Sequence, residues 1–160
     1  AAMEMRNAKA QKQWKVVAEM AQKADSWWTR LEGQSSTPFT WYKAMALVEQ
    51  SRGLALAPAK VLLEEALLNV DLALHSAPAN LPAMKEKGST LALIGRHDEA
   101  AVAFGAITAV YEDDIDSWIN LAICHYQLHQ IDQAKRAMAH VPADYDDPNN
   151  FTLRQLLQIP

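Results

Sequence analysis

The sequence holds a single cysteine, Cys124, and only five glycines in 160 residues. One thiol excludes an intrachain disulfide framework and a cysteine-rich zinc site. It fits a reducing cytosol and equally an exported chain, so cytoplasm and periplasm both stay open as compartments. Scarce glycine, with abundant alanine and leucine, favours helix along the whole length. β-Branched residues are thin and period-two alternation is rare, which argues against a sheet-built domain. No apolar run approaches the roughly 20 residues of a membrane span. A charged-then-apolar secretory leader is not visible either, although the opening Ala-Ala-Met fits a trimmed or processed start. Lys and Arg number 15 against 19 Asp and Glu, for a net charge of −4, and they form no dense stripe. That balance argues against nucleic acid as a partner. Neither a Gly-rich phosphate loop nor a serine-nucleophile motif occurs, and the chain reads as a non-enzyme without a cofactor.

What is present is helical periodicity. Half the residues are hydrophobic and about a fifth are charged, enough for one domain with a real core. Residues 3–32 read as one long helix, with Trp14, Val17, Met20, Ala21, Ala24, Trp27, Trp28 and Leu31 at three- and four-residue steps. Arg6, Lys9, Lys12, Lys15 and Lys23 fall largely to solvent. "GQSSTP" at 33–38 is a break, with Gly33 as a stop and Thr37-Pro38 as the next start. A second helix is predicted over 38–52 and a third over 58–76, with the apolar "RGLALAP" between them. Four more follow near 82–95, 97–111, 115–129 and 131–141. A Pro/Asp-rich turn, "PADYDDPNN", leads into a short amphipathic segment, "FTLRQLLQI".

An offset of 34 residues superposes two of these helix pairs. It matches Met84 with Trp118, Gly88 with Ala122, Ile94 with Leu128, Asp98 with Asp132, Ala100 with Ala134, Phe104 with Met138 and Ile107 with Val141. Small residues match small ones, which lets paired helices approach closely while bulky residues fill the space beside them. Each unit is too small to bury its own apolar face, so stacking is required. The alternative is an irregular helical bundle.

These landmarks resemble the tetratricopeptide repeat family, a helix–turn–helix unit of the same length. Met84 and Trp118 fall on its Trp position, Gly88 and Ala122 on the small one, and Ala100/Ala134 and Phe104/Met138 on the Ala and Phe of the second helix. Lys87 and His125 depart from the usual Leu and Tyr, and neither unit closes on Pro. A divergent third copy fits Trp41, Met45, Ala66, Val70, Ala73 and Pro78 if "GLALAPAK" is an insertion. The resemblance implies an all-α chain of helix–turn–helix repeats stacked as a short right-handed solenoid behind a long N-terminal helix. Domain limits would be 1–37 for a Trp-rich helix and break, then 38–160 for the repeats. Units would run 38–80, 81–114 and 115–148, with a cap at 149–160.

It also implies a binding function. Family members hold a peptide or helix of another protein in a concave groove lined by the first helix of each pair. Carried over by position, that face is Lys85, Ser89 and Ala92, then Ile119, Asn120, Ile123, Tyr126 and Gln127. Some members clamp a terminal carboxylate with Lys, Asn, Asn, Lys and Arg, and the equivalent positions are Lys85, Ser89, Asn120, Asn150 and Arg154. Three of these match in type: Lys85, Asn120 and Arg154. An Asn at the Asn120 position also suits a generic grip on peptide backbone.

Other features have plainer readings. His125 and His129 have metal-ligand spacing, yet a packed histidine and a helix-end histidine are the preferred reading. Cys124 reads as a small buried hydrophobe. Either the long first helix packs across the first pair and buries Trp14, Trp27, Trp28 and Trp41, or adjacent Trp27 and Trp28 cannot both face one core and one of them is exposed. That residue, with Trp28 the named candidate, would anchor a partner or a second copy of the chain. The chain would then be an assembly subunit whose repeats act as a spacer. Glu112, Asp113, Asp114 and Asp116 crowd one turn and suggest a basic partner there, against the reading of a solvated run.

Overall fold

A computed structural model describes residues 5, 9, 12–32 and 37–160, with the side chains at 28, 29, 31, 32, 37 and 38 outside the description. All regular structure among the described residues is helical. The helices are α1 (Trp14–Glu32), α2 (Thr37–Ser51), α3 (Leu56–Ser76), α4 (Leu81–Ile94), α5 (His97–Val110), α6 (Ile115–Gln127), α7 (Ile131–Met138) and α8 (Pro148–Leu157). None of them is long and apolar enough to cross a membrane.

The single helix expected over 3–32 is interrupted. Lys12 lies in the left-handed region at φ 56°, and the regular helix starts only at Trp14. Neither Gly nor Pro marks that site, so periodicity alone runs straight across it. Of the break expected at 33–38, residues 33–36 with the Gly33 stop lie outside the described residues, as does the Thr37 side chain, while 37 and 38 already belong to α2. α3 begins at Leu56, two residues ahead of Pro58. Proline is tolerated there because first-turn N–H groups have no intrahelical acceptor to lose.

The chain divides into two compact units, residues 1–90 and 91–160, and the division falls within α4. In the first, α2 packs against both α1 and α3. Val17 and Ala46 are fully buried together, with Trp14, Ala18 and Tyr42 against them. Lys43 bridges to Glu65 at 3.0 Å and ties α2 to α3, while Lys87 reaches Asp71 at 2.8 Å and ties α4 to α3. Lys9 Nζ stands 5.5 Å from the centroid of the Trp41 ring, within cation–π range.

In the second unit α6 packs against α5, α7 and α8. The residues that aligned in sequence form its core: Ala100, Ala122 and Ala134 have no exposed surface, and Phe104, Ile107 and Met138 have 1 % or less. Alanines at these sites permit close helix approach, and the large side chains fill the volume between.

Local hydrogen bonding repeats at the same spacing. Asn80 Oδ1 accepts from Ala83 N–H at 3.1 Å at the start of α4, and Asp114 Oδ2 accepts from Ser117 N–H at 3.2 Å at the start of α6. Both are N-terminal caps, which satisfy donors that the helix cannot. The ends of the two helices also agree. Arg96 N–H donates to Leu91 O and Gln130 N–H to His125 O, each at 2.9 Å. The turn residues between, Gly95 and His129, are both left-handed, with φ of 92° and 58°. Glycine adopts that conformation freely, whereas histidine does so at a cost.

Candidate protein-binding surface

The packing of α6 sorts its residues by face. Ser117, Ile119, Leu121, Ala122 and Cys124 are buried. On the other side Asp116, Asn120, Ile123 and Gln127 recur at i, i+4, i+7 and i+11, which places them in one stripe along the helix. Asp116 and Gln127 are exposed, and Asn120 and Ile123 are half-buried. Asn120 Nδ2 donates to Asp116 O at 2.9 Å, which fixes the amide and leaves its oxygen as an acceptor. Asp116 Oδ1 in turn accepts from Tyr145 Oη at 2.8 Å, across 29 residues of sequence. The stripe thus offers a carboxylate, an oriented amide, a branched apolar side chain and a second amide in sequence along one helix.

Its surroundings are strongly acidic. Residues 91–160 carry ten Asp and Glu against four Lys and Arg, although the whole chain is only at −4. Glu112, Asp113, Asp116, Asp144 and Asp146 are exposed on the turns before α6 and α8 and at the start of α6. Net charge of one sign over a surface steers partners of the other.

The residues expected from sequence divide between the units. Lys85 and Ser89 sit half-buried on α4 in the first unit. Asn120, Ile123 and Gln127 share the α6 stripe, and Tyr126 flanks it half-buried. Ile119 is a correction: it is 2 % exposed and belongs to the core. Arg154 is a second. Arg154 Nε donates to Asn150 Oδ1 at 3.0 Å and Nη2 to Val141 O at 2.7 Å, and Nη1 bonds Pro160 O. Asn150 has no exposed surface, and its Nδ2 donates to Pro142 O at 3.1 Å and Tyr145 O at 2.9 Å. The pair fastens the 141–145 turn to α8, and each of the three guanidinium nitrogens of Arg154 is engaged inside the chain. The Trp28 side chain lies outside the described residues, while Trp27 is 64 % exposed.

Histidine and cysteine are accounted for locally. His125 Nδ1 pairs with Gln130 Oε1 at 2.7 Å, and His129 occupies the left-handed turn. Among the described residues no three His, Cys, Asp or Glu side chains gather as a metal site would require. Cys124 is 1 % exposed, and burial pushes its thiol up to about 11. A thiol held neutral is a poor nucleophile.

Asp116 was read from sequence only as one of an acidic run, and its place on the stripe follows from the helical step to Asn120. Tyr145 was missed. It reaches Asp116 only through the fold of the 142–147 turn, for which no sequence signal exists.

Residues 91–157 match the family model described as tetratricopeptide repeat. A comparison with curated protein sequences finds no match. Among solved structures, one described as "MamA RS-1 ArsTM double mutant" superposes with a TM-score of 0.68. It shares 18 % identity and covers 98 % of this chain and 94 % of its own. At that identity the likeness is one of fold.

Proposed function

We propose that this chain, whose residues 91–157 match the tetratricopeptide repeat model, captures a partner's peptide or helix non-covalently on the first-helix face of its repeats. The observation that carries this reading is the α6 stripe of Asp116, Asn120, Ile123 and Gln127. Asn120 and Gln127 can pair with a partner's backbone amides, Ile123 gives apolar contact, and Asp116 meets a basic side chain. Tyr126, beside the stripe, belongs to the same proposed contact set, and Lys85 and Ser89 are proposed as a separate contact on α4 of the first unit. The acidic surroundings favour a partner with net positive charge. Bound peptides gain affinity from a few well-placed groups rather than from area, so the stripe residues should dominate.

The test is a pull-down from native lysate with wild type and an Asn120→Ala/Gln127→Ala variant, each verified as folded by circular dichroism. Both side chains are off the core, so the fold should survive. Loss of a specific partner with the variant supports the reading. Retention of every partner contradicts it.

One observation favours a second reading. On α1, Val16, Lys23 and Trp27 follow at i, i+7 and i+11, and Trp27 and Val16 are 64 % and 37 % exposed. An aromatic beside cationic residues on an open helix face would make the chain an assembly subunit that docks to another protein, or to a second copy, through α1. Partners lost with Trp27→Ala and kept with the α6 variant would favour it.

A further inference from the structure

Trp118 lies two residues before Asn120, which puts it on the opposite flank of α6 from the stripe. It stacks on His140, ring centroids 3.8 Å apart and planes within 5° of parallel. Beside this pair is a hollow of about 430 Å³, lined by Gly105, Thr108, Ala109, Glu112, Trp118 and His140. A volume of that size falls at the lower end of the roughly 300–1,000 Å³ seen for ligand pockets. We propose that this hollow receives a single basic side chain, Lys or Arg, of a protein partner.

The lining decides the chemistry. Thr108 Oγ1 donates to Gly105 O at 3.1 Å and Trp118 Nε1 donates to Glu112 O at 2.9 Å, so both donors are already spent. The wall that remains is aromatic ring and small aliphatic surface. Glu112 is the only carboxylate in the lining and no Lys or Arg stands there; it is exposed, and it has no ion-pair partner among the described residues. An aliphatic stem ending in a cation satisfies both parts, with carbon against the wall and charge beside ring and carboxylate. An acidic side chain would meet Glu112 and the ten-to-four acidic excess of this unit. An apolar one would strip water from Glu112 without replacing it. A smaller hollow of about 220 Å³ shares Trp118 and His140 but is lined by Arg136, so it lacks this selectivity.

Gly105 is the second observation. Glycine inside a helix is unfavourable relative to alanine, and here φ is not positive and nothing lies within 4 Å of where a Cβ would stand. Neither backbone conformation nor close packing requires it. What the missing side chain does is keep the hollow open. This inference does not depend on the α6 stripe.

The test is an NMR titration of the full chain with N-acetyl-arginine amide and N-acetyl-lysine amide, read at the Trp118 indole N–H and the Gly105 amide. N-acetyl-citrulline amide serves as the uncharged isostere. Single residues bind weakly, with half-saturation on the order of tens of millimolar. Arginine and lysine amides should shift both signals at about threefold lower concentration than citrulline, the scale of a partly exposed ion pair. Glu112→Gln should remove that preference, and Gly105→Leu should abolish the shifts while the helical spectrum is kept. The proposal is overturned if Trp118 does not respond, if citrulline binds as well as arginine to wild type, or if Glu112→Gln leaves the preference intact. Should Gly105→Leu misfold, Ala109→Leu fills the same hollow from an exposed position.

Discussion

Tyr145 Oη donates to Asp116 Oδ1 at 2.8 Å, joining the turn before α8 to the first turn of α6. Through that bond the turn reaches the end of the proposed binding stripe. Tyr145→Phe removes one hydroxyl and leaves the ring. Because the bond is exposed, stability should fall by only about 0.5–1 kcal/mol in urea denaturation. Partner affinity should change more than stability if Asp116 contacts the partner, and no more than stability if it does not.

Asn150→Ala should be far costlier. The side chain is fully buried, its amide serves two close carbonyls of the 142–145 turn, and its oxygen holds Arg154. Truncation strands buried acceptors and frees a guanidinium, for a loss of about 2–3 kcal/mol. A urea midpoint within error of wild type would refute this account of the α8 cap.

Cys124 should resist alkylation in the native chain and react readily in urea. Burial holds its thiol neutral up to about 11, against an ordinary value of 9.0. The unfolded chain releases that proton first, so the contribution to stability is complete below the unfolded value. It is lost as pH rises from 9.0 to about 11. Over that window wild type should lose roughly 2 kcal/mol relative to Cys124→Ala, with each measured by denaturant titration.

Glu86 on α4 gives a pH effect in the acidic range. Burial pushes its carboxyl above the ordinary 4.5, Glu49 pushes the same way, and Arg52 and Lys9 pull it down. A raised acid binds its proton more tightly when folded, so its favourable contribution is present below 4.5 and fades as pH rises through the shifted value. Glu86→Gln should therefore gain on wild type between pH 4 and 7, and a constant difference across that range would refute the sign.

How much of this was legible depends on whether the signal was local. The starts of the two well-matched helix pairs were read to within one residue and their ends to within three, because Gly95, Asp98 and Asp132 punctuate them and the 34-residue offset reinforces each boundary. The break at Lys12 was not, since a lysine at φ 56° leaves no mark in composition. Asn120, Ile123 and Gln127 follow from helical spacing, which fixes a shared face. Ile119 fails because the neighbouring helices set where the buried arc ends, and spacing does not say which flank they cover. Arg154 fails for another reason. It reaches Val141 O, 13 residues away, and only the folded turn brings that carbonyl near. The Trp118–His140 stack spans 22 residues and was equally hidden.

The most direct test of partner capture on α6 is site-specific photo-crosslinking in the native cell. A photoreactive residue replaces Gln127 on the stripe, and for comparison replaces Lys135 on α7 or Trp27 on α1. The account predicts a discrete protein adduct from position 127, absent from position 135 and reduced by Asn120→Ala. Adducts from position 27 alone, or none from 127, would contradict it and move the function to the N-terminal helix.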